Sequence, residues 1–205
     1  MKLRHIVLVV LLITVTVIWQ QKHHARHSDF MHQQAMLSSI HFSDEPQQTD
    51  TDKPSFEFKN YSVKPLANFV IRARILSATH YSLDASSTLS PIDLALGWKR
   101  MADPAIYDAL NISQSGRWYH YSWREAPPIP PQEIIESSAN MHMIPANESV
   151  ARVLNQATSN KFIKIKGMLV EVSNNKGWFW RSSLTRKDSG GGACEVIFVE
   201  AAAIE

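Results

Sequence analysis

The chain has little of what usually announces a chemistry. It has one cysteine, Cys194, so no internal disulfide can form and no site built of thiolates alone can hold zinc. The compartment stays open, since many exported domains lack disulfides. Glycine is scarce at seven residues, and no Gly-x-x-x-x-Gly-Lys-Ser/Thr loop for nucleotide phosphates occurs. An excess of one charge is also missing: 21 basic residues face 19 acidic ones, a net charge of +2. A field that weak does not gather a polyanion, so nucleic acid is not an expected partner. No spacing calls for a cofactor or a metal centre.

One apolar run stands out, from Ile6 to Trp19, with Lys2 and Arg4 ahead of it. As a helix it reaches about 21 Å, against a hydrocarbon layer of about 30 Å. Starting at Leu3, with Arg4 snorkelling, brings it to about 26 Å. Trp19 suits the far interface. A cleaved signal peptide has an apolar stretch of this length but wants small residues before the cut, and Gln20-Gln21-Lys22-His23-His24 follow instead. The reading is a retained anchor over 6–19, with a cytoplasmic tail over 1–5. The domain is then expected on the periplasmic side of a bacterial inner membrane, crossed once. Lys22 and Arg26 on the other flank weaken that asymmetry.

Residues 20–55 are rich in Gln, His, Ser, Asp and Thr and read as a flexible tether. Its histidines (His23, His24, His27, His32, His41) lack thiol or carboxylate partners at fixed spacing, so they read as a solvated linker. A soluble domain is expected over 56–205. Phe69 to His80 alternates Ile71, Ala73 and Ile75 against Val70, Arg72 and Arg74, which predicts a half-buried strand. Ser90-Pro91-Ile92-Asp93 carries the signals of a helix start, and Asp103-Pro104 repeats them. Arg117 to Trp123 reads as an aromatic strand. Pro127 to Pro131 must be extended, handing over to a short helix near Glu133 to Ser138, and Asn147 can cap another. Strands at 162–172, 178–183 and 194–199 close the chain, with Ser173 to Gly177 a hairpin turn between the first two. The fold class is α+β: one transmembrane helix, then a curled antiparallel sheet, open or closed into a small OB-like barrel, with short flanking helices.

Four stretches, LSPIDLALGW (Leu89 to Trp98), QSGRWYHYSW (Gln114 to Trp123), PPIPPQEIIESSANMHMIPA (Pro127 to Ala146) and WRSSLTRKDSGGGACE (Trp180 to Glu195), together resemble a group of short bacterial proteins, often with one N-terminal membrane segment. The resemblance covers roughly the last two thirds of the chain. It implies a self-contained domain beside a bacterial membrane and carries no activity.

Cys194 follows Ser189-Gly-Gly-Gly-Ala193, a loop able to turn N–H groups toward a reacting carbonyl. With His142 or His120 as base it suits acyl transfer or hydrolysis. The competing reading is a small residue opening a buried strand. Arg181 and Arg186, beside the hydroxyls of Ser183 and Thr185, suggest an anion-binding loop, or else a solvated hairpin. Tyr119 and Tyr121 share a strand face that suits a glycan or an ordinary aromatic core. The expectation is a membrane-tethered binding or assembly module of the cell envelope, for an envelope protein or an anionic or glycan ligand. The alternative is a tethered thiol enzyme using Cys194.

Overall fold

The computed structural model describes residues 2–205, with side chains from residue 12 onward. Of the expected cytoplasmic tail and anchor, Met1 lies outside the described residues and residues 2–11 are described by their backbone alone. Helix α1 runs unbroken over Lys2–Ser38. Among the described residues no helix is long and apolar enough to cross a membrane.

The chain continues as β1 (Gln47–Thr49), β2 (Phe56–Phe58), β3 (Tyr61–His80) and β4 (Ile92–Gly97). A 3-10 turn (Lys99–Ala102), α2 (Pro104–Tyr107), the hairpin β5 (Asn111–Ser115) and β6 (Trp118–Ser122), and α3 (Pro131–Ser137) follow. Then come β7 (Ser138–Pro145), α4 (Glu148–Leu154), β8 (Phe162–Ser173), β9 (Phe179–Arg181) and β10 (Glu195–Ile204). The architecture is α+β, with four α-helices around a large curled sheet. Strand order is β1-β3-β4-β7-β10-β8-β9, and β3 pairs with β8 as well, so the sheet curls back on itself. The twenty-residue β3 makes this possible: Ser62 to Arg74 pair with β8, and Arg74 to His80 with β4.

The strand alternation expected for β3 is what builds the core. Phe69, Ile71, Ala73 and Ile75 point inward to meet Ile92, Leu94 and Leu96 of β4, Met141 and Met143 of β7, Ile163 and Ile165 of β8, and Ile197 and Val199 of β10. Two satellite clusters cover the outside, one holding Val170, Val172, Val196 and Phe198, the other packing the β5–β6 hairpin against Ala95, Met101 and Ile134. The two caps expected from sequence form: the Asp103 carboxylate accepts from Ala105 N, and Asn147 Oδ1 from Val150 N, each at 3.0 Å.

Three expectations need correction. The sheet is mixed: β7 and β10 run parallel, Met141 to Pro145 beside Glu195 to Val199. The helix expected after Ser90-Pro91 is strand β4, because Ile92, Leu94 and Leu96 alternate and both edges of the segment are hydrogen-bonded, to β3 and β7. The tether expected to be flexible is structured: α1 extends through Ser38, and Gln47–Thr49 pairs with β3. The cause lies at β10. Its pairing with β7 ends at Val199 opposite Pro145, and α1 and α4 pack over the remainder. Leu37 and Gln33 of α1 are buried there, and Gln33 Oε1 accepts from Ala202 N at 3.4 Å. An edge that would otherwise bury an unpaired N–H is thereby satisfied.

Gly167 sits where β8 passes β10; a Cβ there would lie 2.2 Å from the Phe198 carbonyl oxygen. The nearest atoms are all backbone of Phe198 and Val199, so nothing soft is there to yield. Gly167→Ala should therefore destabilise the domain by about 2–4 kcal/mol, read as a lower midpoint in urea unfolding.

Candidate functional site

The site lies on the outer face of β4, β7 and β10. Side chains alternate along each strand, so while Ile92, Leu94, Met141 and Met143 fill the interior, Asp93, Asn140 and His142 face outward. Asp93 and His142 are register partners across β4 and β7. Asp93 is fully buried and His142 nearly so. His142 Nδ1 lies 2.8 Å from Asp93 Oδ1, a close electrostatic contact whose angle is poor for a hydrogen bond. The His142 ring also packs against Trp180, with centroids 4.4 Å apart.

A buried carboxylate needs a counter-charge, and the β5–β6 hairpin delivers it. The two residues at its tip, Gly116 and Arg117, both have positive φ, 57° and 72°, the geometry that suits a tight two-residue turn. Arg117 Nη1 donates to Asp93 Oδ1 at 2.8 Å, while Nε and Nη2 grip both oxygens of Asp84 at 2.9–3.1 Å. The guanidinium stacks 3.8 Å from the centre of the Tyr81 ring. Burial pushes the Asp84 carboxyl up, but hydrogen bonds from Arg117 and Ser86 outweigh it and hold the carboxyl below its ordinary value. Asn140 Nδ2 donates to the Arg117 carbonyl at 3.0 Å and its Oδ1 accepts from Gln114. The curled sheet and the hairpin are thus joined by part-buried polar contacts.

Two hollows open beside this network. The larger is an open cleft of about 920 Å³, floored by Arg117, His142, Ser182 and Ser183 and walled by Trp118, Trp178, Phe179 and Trp180. The smaller, about 120 Å³, lies between the hairpin, β7 and the 186–195 loop, with Asn140 and Glu195 among its lining. Trp118, Asp188, Gly190 and Cys194 border both.

Cys194 and His142 do line one cleft, but Cys194 is two residues before Val196, the register partner of His142, and lies near Asn140, whose Nδ2 is 4.0 Å from Sγ. Burial and the neighbouring Glu195 push its thiol up to about 11. His120 is exposed on β6, pairing with Ser113. The arginines offered for an anion are already matched: Arg181 pairs with Glu171, and Arg186 Nε lies 2.7 Å from Glu195. Ser183 and Thr185 are spent within their loop, Ser183 Oγ bonding Asp188 and accepting from Thr185 N. Tyr119 and Tyr121 pack under the hairpin beside Trp123. Trp178 and Trp180 line the cleft, Trp180 packed against the cluster of Val170 and Val172, and Trp178 37% exposed.

The arginines that line the hollows (Arg117, Arg181, Arg186) are each held by carboxylates of the chain (Asp84 and Asp93, Glu171, Glu195). Complete burial lifts the Glu195 carboxyl to about 8 against the pull of Arg186. Asp188 is exposed and, among the described residues, in no ion pair. Arginines so engaged speak against an anionic ligand. Among the described residues, no group of three or more His, Cys, Asp or Glu is placed to hold a metal.

Sequence reading missed Asp84, Asp93, Arg117 and Asn140. A signal existed for Asp93, a charge inside the Ile-Asp-Leu-Ala-Leu alternation, but it was absorbed into a helix cap. Asp84 sits in a loop with nothing local to mark it.

Removing Arg117 leaves Asp93 buried without its main partner. Arg117→Ala should cost about 3–5 kcal/mol, and adding Asp93→Asn should recover part of that in a denaturation double-mutant cycle. Alkylation of Cys194 by a maleimide at neutral pH should run at least about tenfold slower than that of a free cysteine peptide; an equal or faster rate would mark an activated thiol.

Comparison of the chain with models of protein families, with curated proteins and with solved structures found no match.

Proposed function

We propose that the chain is a membrane-tethered binding module of the cell envelope whose cleft takes an uncharged or cationic sugar chain. The observation that carries this is the cleft itself: indole and phenyl faces on its walls, and arginines already neutralised by carboxylates. Flat apolar faces beside fixed polar groups suit the alternating C–H and hydroxyl surfaces of a sugar ring.

The strand order supports the same reading. A long first strand paired with the second and fourth, and a third strand parallel to the fifth, matches the OB barrel when β3, β4, β7, β8 and β10 are taken as its five strands. OB barrels bind oligosaccharides or oligonucleotides on the face of strands two and three, between the loops that follow the first and fourth strands. Here that face carries Asp93 and His142, and those loops carry Ser86 and residues 178–192. Arginines already held by Asp84, Asp93 and Glu171 weigh against an oligonucleotide backbone.

Acyl transfer at Cys194 remains the second reading, because Asp93 backs a histidine that lines the same cleft as the thiol. The raised thiol and its contact with Asn140 weigh against it.

The test is a tryptophan-fluorescence titration of the full chain, in a polyoxyethylene detergent, with tetramers of N-acetylglucosamine. Saturable binding is expected, weakened about tenfold by Trp118→Ala, near the energy of one lost stacking contact. A folded protein that binds neither this oligomer nor isolated envelope glycan would overturn the reading.

A further inference from the structure

The small cavity behind the 186–195 loop differs in chemistry from the cleft it adjoins. Glu195 lines it, is 1% exposed, and has one oxygen, Oε1, facing Arg186 while Oε2 has no hydrogen-bond partner. A buried acceptor left open costs free energy unless something donates to it. Asp188 stands at the rim, exposed, bonded to Ser183 and in no ion pair. Trp118 contributes an aromatic surface at the junction with the cleft and is 46% exposed. Arg186 is the single basic group lining the cavity, against two carboxylates.

We infer that this cavity seats a primary ammonium group borne by the ligand of the adjoining cleft, with Glu195 Oε2 and Asp188 accepting its protons and Trp118 flanking it. This rests on the reading of the cleft as a sugar-binding site. The volume of about 120 Å³ suits a compact ammonium group. Such a group brings three donors and one positive charge, and a cation gains from an aromatic face in a partly desolvated setting. A neutral hydroxyl would satisfy the open acceptor but would not hold Glu195 ionised, as an ammonium beside it does. A carboxylate or phosphate would meet repulsion from Asp188. The ligand class that follows is a sugar chain carrying free amino groups, on the ring or on a peptide substituent.

Two titrations of the full chain, in polyoxyethylene detergent, test this. In the first, the Trp118 indole N–H resonance, assigned with Trp118→Phe, is followed against n-butylammonium and against n-butanol. A saturable shift is expected with the amine alone, and Asp188→Asn should weaken it about tenfold. In the second, the glucosamine tetramer should bind about tenfold more tightly than the N-acetylglucosamine tetramer. Glu195→Gln, at a residue that lines the cavity and not the cleft, should erase that preference and leave N-acetylglucosamine binding in place. Equal binding of the two tetramers with no amine-specific shift overturns the ammonium seat and leaves the sugar-binding reading standing. An amine-specific shift without binding of either tetramer does the reverse.

Discussion

Asp93 is a carboxylate placed where the alternation of β4 demands an outward residue and where the rest of the fold leaves no water. Everything on that face follows from answering its charge. Arg117 must reach it, so the β5–β6 hairpin must fold down on the sheet and turn tightly enough to present Arg117 at its tip. Asp84 must then share the guanidinium, which fixes the loop between β3 and β4. Isolated, the buried Asp93 charge would be costly; joined, the three groups position two loops against one another with little freedom. The cleft is the space left between the loops so fixed.

This arrangement also explains why the residues that looked most reactive in the sequence are not the ones that shape the site. Cys194, next to a glycine run, is a spacer between two hollows whose sulfur meets an amide. Arg181 and Arg186, which looked like an anion loop, hold carboxylates of their own chain. The groups left over are aromatic faces, an unpaired Asp188 and one open oxygen of Glu195. What a ligand meets is what internal pairing has not consumed.

Local signals were readable where the cause was local. The caps at Asp103 and Asn147, the alternation of β3 and the turn before Trp178 each depend on a few neighbouring residues, and each forms as expected. The direction of β7 against β10 was not readable, since parallel pairing joins segments some fifty residues apart and depends on which edge is free. Ser90-Pro91 misled because a helix cap and the entry to a buried strand can share a serine, a proline and an acid. The site was legible only in its outlying members: His142 and Cys194 stood out by residue type. Arg117 was noted only for its strand face, and its partners became visible once the hairpin was placed.

The long α1 helix and its docking through Gln33 and Leu37 bear on how the cleft meets its target. A random-coil tether lets a domain sample a hemisphere of positions and dilutes it over that volume. A continuous helix from Trp19 to Gln33 instead sets a standoff of about 20 Å, and the docked end fixes which way the sheet turns. With Trp19 at a membrane surface, as proposed, the cleft would patrol a thin shell at one height. Its effective concentration is then high for polymers lying at that height and low for those nearer or farther, so reach alone selects among chemically similar strands before any contact is made.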